Sequence, residues 1–221
     1  MTASEGSPSG AGRAPSEHRH HHDHRGMHEE AWTRERAEAV LDAPERRQTQ
    51  DPFALWRRAG LFAGAVVVDV GAGSGYFAFP AAELVGRGGR VYAVDVSAEL
   101  VDLLRERSRQ RDAANVLPLR STPDHIPLGD RLADFVLLAN VLHGVPPSTL
   151  VEVRRILKPD GRLVNVDWKK EPTPGGPPAE ARLTPREAEA ALVRHGFAAL
   201  DGWDLGPYHY AQIFRPAAGD A

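Results

Sequence analysis

From Ala63 onward the chain alternates two hydrophobic rhythms. Short, nearly continuous apolar runs recur at Ala65–Val70 (AVVVDV), Arg90–Asp95 (RVYAVD), Val116–Arg120, Ala133–Asn140 (ADFVLLAN) and Arg162–Trp168 (RLVNVDW). Runs of that length without polar alternation predict strands covered on both faces. Between them, apolar residues fall at helical spacing. Leu100, Leu103 and Leu104 share one face behind a Ser97 cap, and Leu150, Val153, Ile156 and Leu157 form another that ends at the turn Pro159-Asp160-Gly161. Thr184-Pro-Arg-Glu187 spells a capping box with proline at the first helical position, and that helix closes at Gly196. Two last strands, near 198–205 and 208–215, have no helix between them and so must pair as a hairpin. Strands alternating with helices predict crossover units: an α/β fold on a mostly parallel sheet with one antiparallel strand.

The N-terminal part follows a different pattern. Residues 29–58 read as two short helices anchored by Ala31, Val40 and Leu41, then by Phe53, Leu55 and Trp56, with Asp42-Ala43-Pro44 breaking the run. The predicted organisation is therefore a tail over 1–28, a helical lid over 29–62, the α/β domain over 63–216 and a short disordered end over 217–221. The tail begins small and Gly/Ser/Pro-rich, which predicts disorder, and continues as EHRHHHDHRGMH. Its histidines, His20, His22 and His24 among them, form a candidate metal-binding stretch whose bland alternative is an unstructured tail. No metal is expected in the folded part.

Candidate chemistry concentrates in Val66–Phe77 (VVVDVGAGSGYF): a strand, an acid at Asp69, then Gly71, Gly73 and Gly75 and an expected helix start near Ser74. Glycines serve where backbone must turn sharply and let a ligand approach without a Cβ in the way. A helix N-terminus there would offer free N–H groups to an anion. The spacing is G-x-G-x-G rather than the dinucleotide G-x-G-x-x-G, and the acid two residues before Gly71 suits an ammonium, which a pyrophosphate ligand lacks. Asp95 closes the next strand, where a carboxylate can accept both hydroxyls of a ribose. Together the two acids describe a pocket for a ligand with an amino acid at one end and a nucleoside at the other.

On these residues the sequence resembles the class I methyltransferases that use S-adenosylmethionine, particularly the group called methyltransferase type 11. The resemblance is strongest over Val66–Leu157. It implies a three-layer sandwich with a seven-stranded, mostly parallel, Rossmann-like sheet whose last strand is antiparallel, and release of S-adenosylhomocysteine as product. Residue by residue, it assigns the donor's methionine amine and carboxylate to Asp69 and the Gly71-Ala72-Gly73 backbone, with Gly75 completing the loop. Asp95 would take the ribose and Val96 would pack on the adenine. Ser121 and Thr122 would lie beside the adenine amino group, with Asp124 as their alternative, and Asn140 would face the transferring methyl.

The acceptor belongs beyond the carboxyl ends of the strands. Candidates there are His143 after the fourth strand, as a general base, and Asp167 after the fifth, either orienting a partner or merely pairing with Lys169. The loop EPTPGGPP that follows is long and irregular, as functional loops and lids are. Tyr208, His209 and Tyr210 read as packing residues.

Composition narrows the rest. Net charge is −3, so no nucleic-acid partner is expected. No apolar run reaches the ~18 residues of a membrane span, and the N-terminus lacks the apolar core of a signal peptide; a cytoplasmic protein, monomer or homodimer, is expected. There are no cysteines, which removes thiolate chemistry, and with it the arsenite and cytosine-C5 methyltransferases. After the fourth strand the chain reads Asn140-Val-Leu-His143 rather than the Asn/Asp-Pro-Pro-aromatic motif of base and amide methylation. A small-molecule acceptor is the leading reading. The alternatives are a catalytically inactive, regulatory S-adenosylmethionine-binding protein and a nucleotide-linked oxidoreductase.

Overall fold

The computed structural model describes residues 32–218; the expectations for the His-rich tail lie outside the described residues. Three helices precede the sheet, not two. Helix α1 (Arg34–Leu41) is capped by the Thr33 hydroxyl, α2 (Arg46–Thr49) is a single turn, and α3 (Pro52–Ala59) starts under the Asp51 carboxylate with Pro52 at its first turn. It ends at Gly60, in the left-handed conformation (φ 80°).

The remaining elements alternate as the hydrophobic rhythm requires: β1 (Val66–Val70), α4 (Ala78–Val85), β2 (Arg90–Asp95), α5 (Ala98–Gln110), β3 (Val116–Arg120), β4 (Ala133–Ala139), α6 (Pro147–Ile156), β5 (Leu157–Trp168), α7 (Pro185–Arg194), β6 (Phe197–Leu205) and β7 (His209–Pro216). They form one seven-stranded sheet in the order β3-β2-β1-β4-β5-β7-β6. Strands β1 to β5 are parallel, and β7 runs antiparallel to both β5 and β6. The expected fold class is the one observed.

Alternate residues of each central strand feed two separate cores. Val67, Ala93, Leu137, Val164 and Ala211 face α3 and α4. Val68, Val94, Val136, Leu163 and Phe214 face α6 and α7. A parallel sheet in a three-layer fold must be apolar on both faces, and this is why its strands lack polar alternation.

Two boundaries differ from expectation. The helix after the glycine turn begins at Ala78, not near Ser74, because Gly71–Phe77 coil as successive turns closed by bonds such as Gly75 N–H to the Ala72 carbonyl (2.9 Å). Strand β5 begins at Leu157, not Arg162. Instead of the expected turn, Pro159–Gly161 lies within the strand as an irregularity, since Leu157 pairs with Ala133 and Arg162 with Phe135. The ladder therefore resumes on both sides of the bulge.

Candidate active site at the carboxyl edge of the sheet

The glycine turn is built as its spacing demands. Gly71, Gly73 and Gly75 all have positive φ (74°, 56° and 85°), where other residues are strained. Space is closed there as well. A Cβ on Gly71 would come within 2.7 Å of a Val141 methyl, and one on Gly73 within 2.7 Å of a Leu41 methyl.

The turn folds back onto β2 through its own amides. Gly71 and Ala72 N–H donate to the Val94 carbonyl (2.8 and 3.0 Å), and Gly73 N–H donates to Asp95 Oδ2 (2.9 Å). These three amides are satisfied within the protein.

Asp95 itself is preorganised. Its other oxygen accepts from Ser97 N–H (2.9 Å), which holds the carboxylate rigidly at the end of β2 with lone pairs left for two hydroxyls. Burial raises its pKa, opposed by the amides of Ser97, Gly73 and Val96. Val96 beside it is 54% exposed, an apolar surface next to the carboxylate.

Asp69 is buried at the end of β1. Its carboxyl is pushed up to about 7, first by burial and then by the Asp95 charge, with Arg46 pulling the other way. A buried carboxylate so placed gains much from a cationic partner.

Ser121 N–H donates to the Asp95 main-chain carbonyl (3.0 Å), which places Ser121 at the expected strand end. The Thr122 hydroxyl instead turns to Asp124 Oδ1 (2.6 Å), in the exposed loop. Asn140 directly follows β4 with φ 59°, and its main-chain N–H donates to the Val166 carbonyl of β5 (2.7 Å).

What the sequence did not indicate is the cover over this edge. Gln50 is fully buried. Its side-chain amide donates to Asn140 Oδ1 (3.4 Å), its carbonyl accepts from the Tyr76 hydroxyl (2.8 Å), and its Oε1 accepts from Arg46 Nε (2.8 Å). The Arg46 guanidinium lies 3.9 Å above the Tyr76 ring. Arginine and glutamine in a charged N-terminal stretch read as solvated positions; only the fold reveals that they cap the strand ends.

Toward β5 and β7 the edge changes character. Asp167 is fully buried; its Oδ1 accepts from Trp168 N–H (2.8 Å) and its Oδ2 faces His143 Nδ1 at 3.3 Å. Lys169 pairs with Asp204 (3.0 Å), not with Asp167, and Lys170 with Glu187 (3.2 Å). The Trp168 and His209 rings lie 4.1 Å apart. Burial, then the charges of Arg46, Arg182 and Lys169, push His209 down to about 3, so it is neutral. The Thr49 carbonyl faces it without closing a hydrogen bond on either ring nitrogen.

The proline-rich loop after β5 is bolted in place. Arg182 donates to the carbonyls of Pro177, Lys169, Glu171 and Gly175 (2.8–3.0 Å) and lies 5.1 Å over the Trp168 ring. The site residues thus fall into two groups: Asp69, Asp95, Val96 and the glycine turn at β1–β2, and Asn140, His143 and Asp167 at β4–β5. Among the described residues no cluster of potential ligands could hold a metal ion, and no helix is long and apolar enough to cross a membrane.

Comparison with known proteins agrees with this fold. The family described as "Methyltransferase domain" matches residues 68–165. The crystal structure of a SAM dependent methyltransferase from Aquifex aeolicus superposes with a TM-score of 0.81 at 31% identity, over 85% of this chain and 100% of that one. An arsenite methyltransferase of Halobacterium salinarum is 32% identical over 49% of this chain and 28% of its own length. A ubiquinone/menaquinone biosynthesis C-methyltransferase of Cellvibrio japonicus is 30% identical over 52% of this chain and 50% of its own. The chain thus spans half or less of those two curated relatives. With the full-length match to the Aquifex protein, the glycine cradle and the paired acids, the chain belongs to the class I S-adenosylmethionine-dependent methyltransferases.

Proposed function

We propose that the protein transfers the methyl group of S-adenosylmethionine to a small organic acceptor whose reacting atom starts out protonated. The observation that carries the acceptor class is the His143–Asp167 pair. A carboxylate buried beside Nδ1 favours the tautomer with its proton there and leaves Nε2 free to accept one.

The donor residues fit their ligand. Asp95 would hold the ribose hydroxyls and Val96 the adenine face. Asp69 would meet the ammonium. The ligand, when bound, supplies a sulfonium methyl, a strong electrophile needing only an aligned nucleophile. Holding the two reactants in line can lower the barrier by as much as ~7–11 kcal/mol in favourable cases. His143 would take the acceptor's proton at Nε2 as the nucleophile forms, and Asp167 would stabilise the resulting imidazolium.

The relatives' names suggest two kinds of acceptor, arsenite and a quinone precursor. With no cysteine in the chain to carry soft, thiolate-held arsenic, a phenolic or carbon-acid acceptor suits this site better.

The test is incubation of the purified chain with methyl-labelled donor and fractionated small-molecule extract, followed by identification of the labelled product. The expected result is label in a hydroxyl- or carbon-methylated metabolite. Binding of S-adenosylhomocysteine without label in any fraction would favour a non-catalytic, cofactor-sensing role.

A further inference from the structure

The methionine half of the donor carries two charges, and the edge of the sheet provides one obvious partner, Asp69, for the ammonium. The carboxylate is left without one. In the glycine turn the amides of Gly71, Ala72, Gly73 and Gly75 donate to the Val94 carbonyl, the Asp95 carboxylate and the Ala72 carbonyl. The Ser74 hydroxyl, buried and without a hydrogen-bond partner, is a neutral donor in the same turn; the charge of an arriving carboxylate calls for a cation from elsewhere.

Two cations reach the turn: Arg107 donates to the Ser74 carbonyl (3.0 Å) but is already paired with Asp42 (2.7 Å), which leaves Arg46. It stacks on Tyr76, the residue after Gly75 (3.9 Å). Its Nη1 donates to the carbonyl of Leu41 (2.8 Å), whose side chain overhangs Gly73. Its field and that of Asp69 act on each other. Although sheltered enough that burial lowers its pKa to about 10, it remains charged at neutral pH and forms no ion pair among the described residues. Two hydrogen bonds use two of its five N–H groups, and Nη2 donates to nothing among the described residues.

Two other sheltered arginines behave differently. Arg155 meets Asp130 and Glu152 (2.7 and 2.6 Å). Arg182 spends four donors on carbonyls. Those are structural cations; Arg46 keeps a free edge of the planar fork that binds carboxylates.

We propose that Arg46, brought over the glycine turn by the α1–α2 segment, anchors the carboxylate of S-adenosylmethionine opposite Asp69. This rests on the donor reading above. Donor binding and ordering of the N-terminal cover then become one event, because the same guanidinium fastens Leu41, Gln50 and the ligand.

Calorimetry with S-adenosylmethionine and its decarboxylated analogue, which differ only in that carboxylate, tests it. The unaltered chain should bind the intact donor about 10–100-fold more tightly, the range of one or two charge-assisted hydrogen bonds. Arg46→Met should weaken intact donor to the level of the analogue while leaving analogue affinity unchanged, which also shows the variant is folded. Arg46→Lys should restore part of the difference. Equal weakening of both ligands, or of neither, overturns the inference and leaves Arg46 a fastener of the cover. Failure of the unaltered chain to bind either ligand removes the donor reading, and this inference with it.

Discussion

The two ends of the ligand-binding edge are built by different means. At β1–β2 the site is largely main chain: three glycines with positive φ, amides folded onto Val94, and one carboxylate pinned by Gly73 and Ser97. At β4–β5–β7 it is side chains from distant segments, His143 on Asp167 and Trp168 against His209, held by Arg182 from beyond the loop. The first arrangement leaves little freedom to a ligand, which suits the donor proposed for it. The second can be respecified by exchanging a few side chains, which suits an acceptor that varies among relatives.

The sharpest way to separate the two ends is to disable one and measure both. His143→Ala should lower turnover by about 10²–10⁴-fold, the usual worth of a general base, with donor affinity unchanged by calorimetry. Asp167→Asn, which keeps the shape but loses the charge, should give a smaller fall in kcat. Loss of donor affinity in His143→Ala would mean that the two ends are not separable.

The converse change is Asp95→Ala, expected to weaken S-adenosylhomocysteine by about 10²-fold, since two hydroxyls lose a charged acceptor. Gly73→Val should do at least as much, because valine there is strained at φ 56° and meets Leu41. Both variants should retain a cooperative melt. Unchanged affinity in both would remove the donor from this edge.

The same contrast explains what could be read from the sequence. The glycine turn was legible because its unusual backbone demands are met by consecutive residues, Asp69 to Gly75, and the acid at the next strand end, Asp95, could be placed beside it. The central strands were legible because a sheet covered on both faces needs unbroken apolar runs. The helix start was misplaced at Ser74 because a glycine-rich segment can hold several turns before a helix becomes regular. His143 and Asp167 could be named as candidates, but their pairing could not, since it depends on how β4 and β5 lie side by side. Arg46 and Gln50 left no trace; the partners of Gln50, Asn140 and Tyr76, lie 90 and 26 positions away.

Acidity gives a graded test of the donor end. The Asp69 carboxyl, raised by burial to about 7, is protonated in the free protein below that pH, whereas an ammonium partner favours the ionised form. Donor affinity should therefore climb by up to tenfold per unit as pH rises toward about 7, then level off. The stability effect has the opposite sense: the raised carboxyl's contribution is fully present below its ordinary value of 3.8 and is lost as pH rises through about 7. Asp69→Asn should flatten both profiles. An affinity that falls between pH 6 and 7 would contradict the ammonium assignment.

The smallest expected effect probes whether the acceptor end owes its shape to the bolted loop. Arg182→Lys keeps the charge but cannot reach the carbonyls of Pro177, Lys169, Glu171 and Gly175 together. Several of these groups can turn to water, so the loss of stability should be modest, on the order of 1–3 kcal/mol. Its functional mark should be a rise of a few-fold in acceptor KM, with kcat and donor affinity nearly unchanged, because the guanidinium supports the Trp168 ring and touches neither His143 nor Asp69. If kcat fell instead and KM did not, the loop would act on the reacting pair itself. The side-chain-built end would then be a single coupled unit, with less freedom to change its acceptor than its construction suggests.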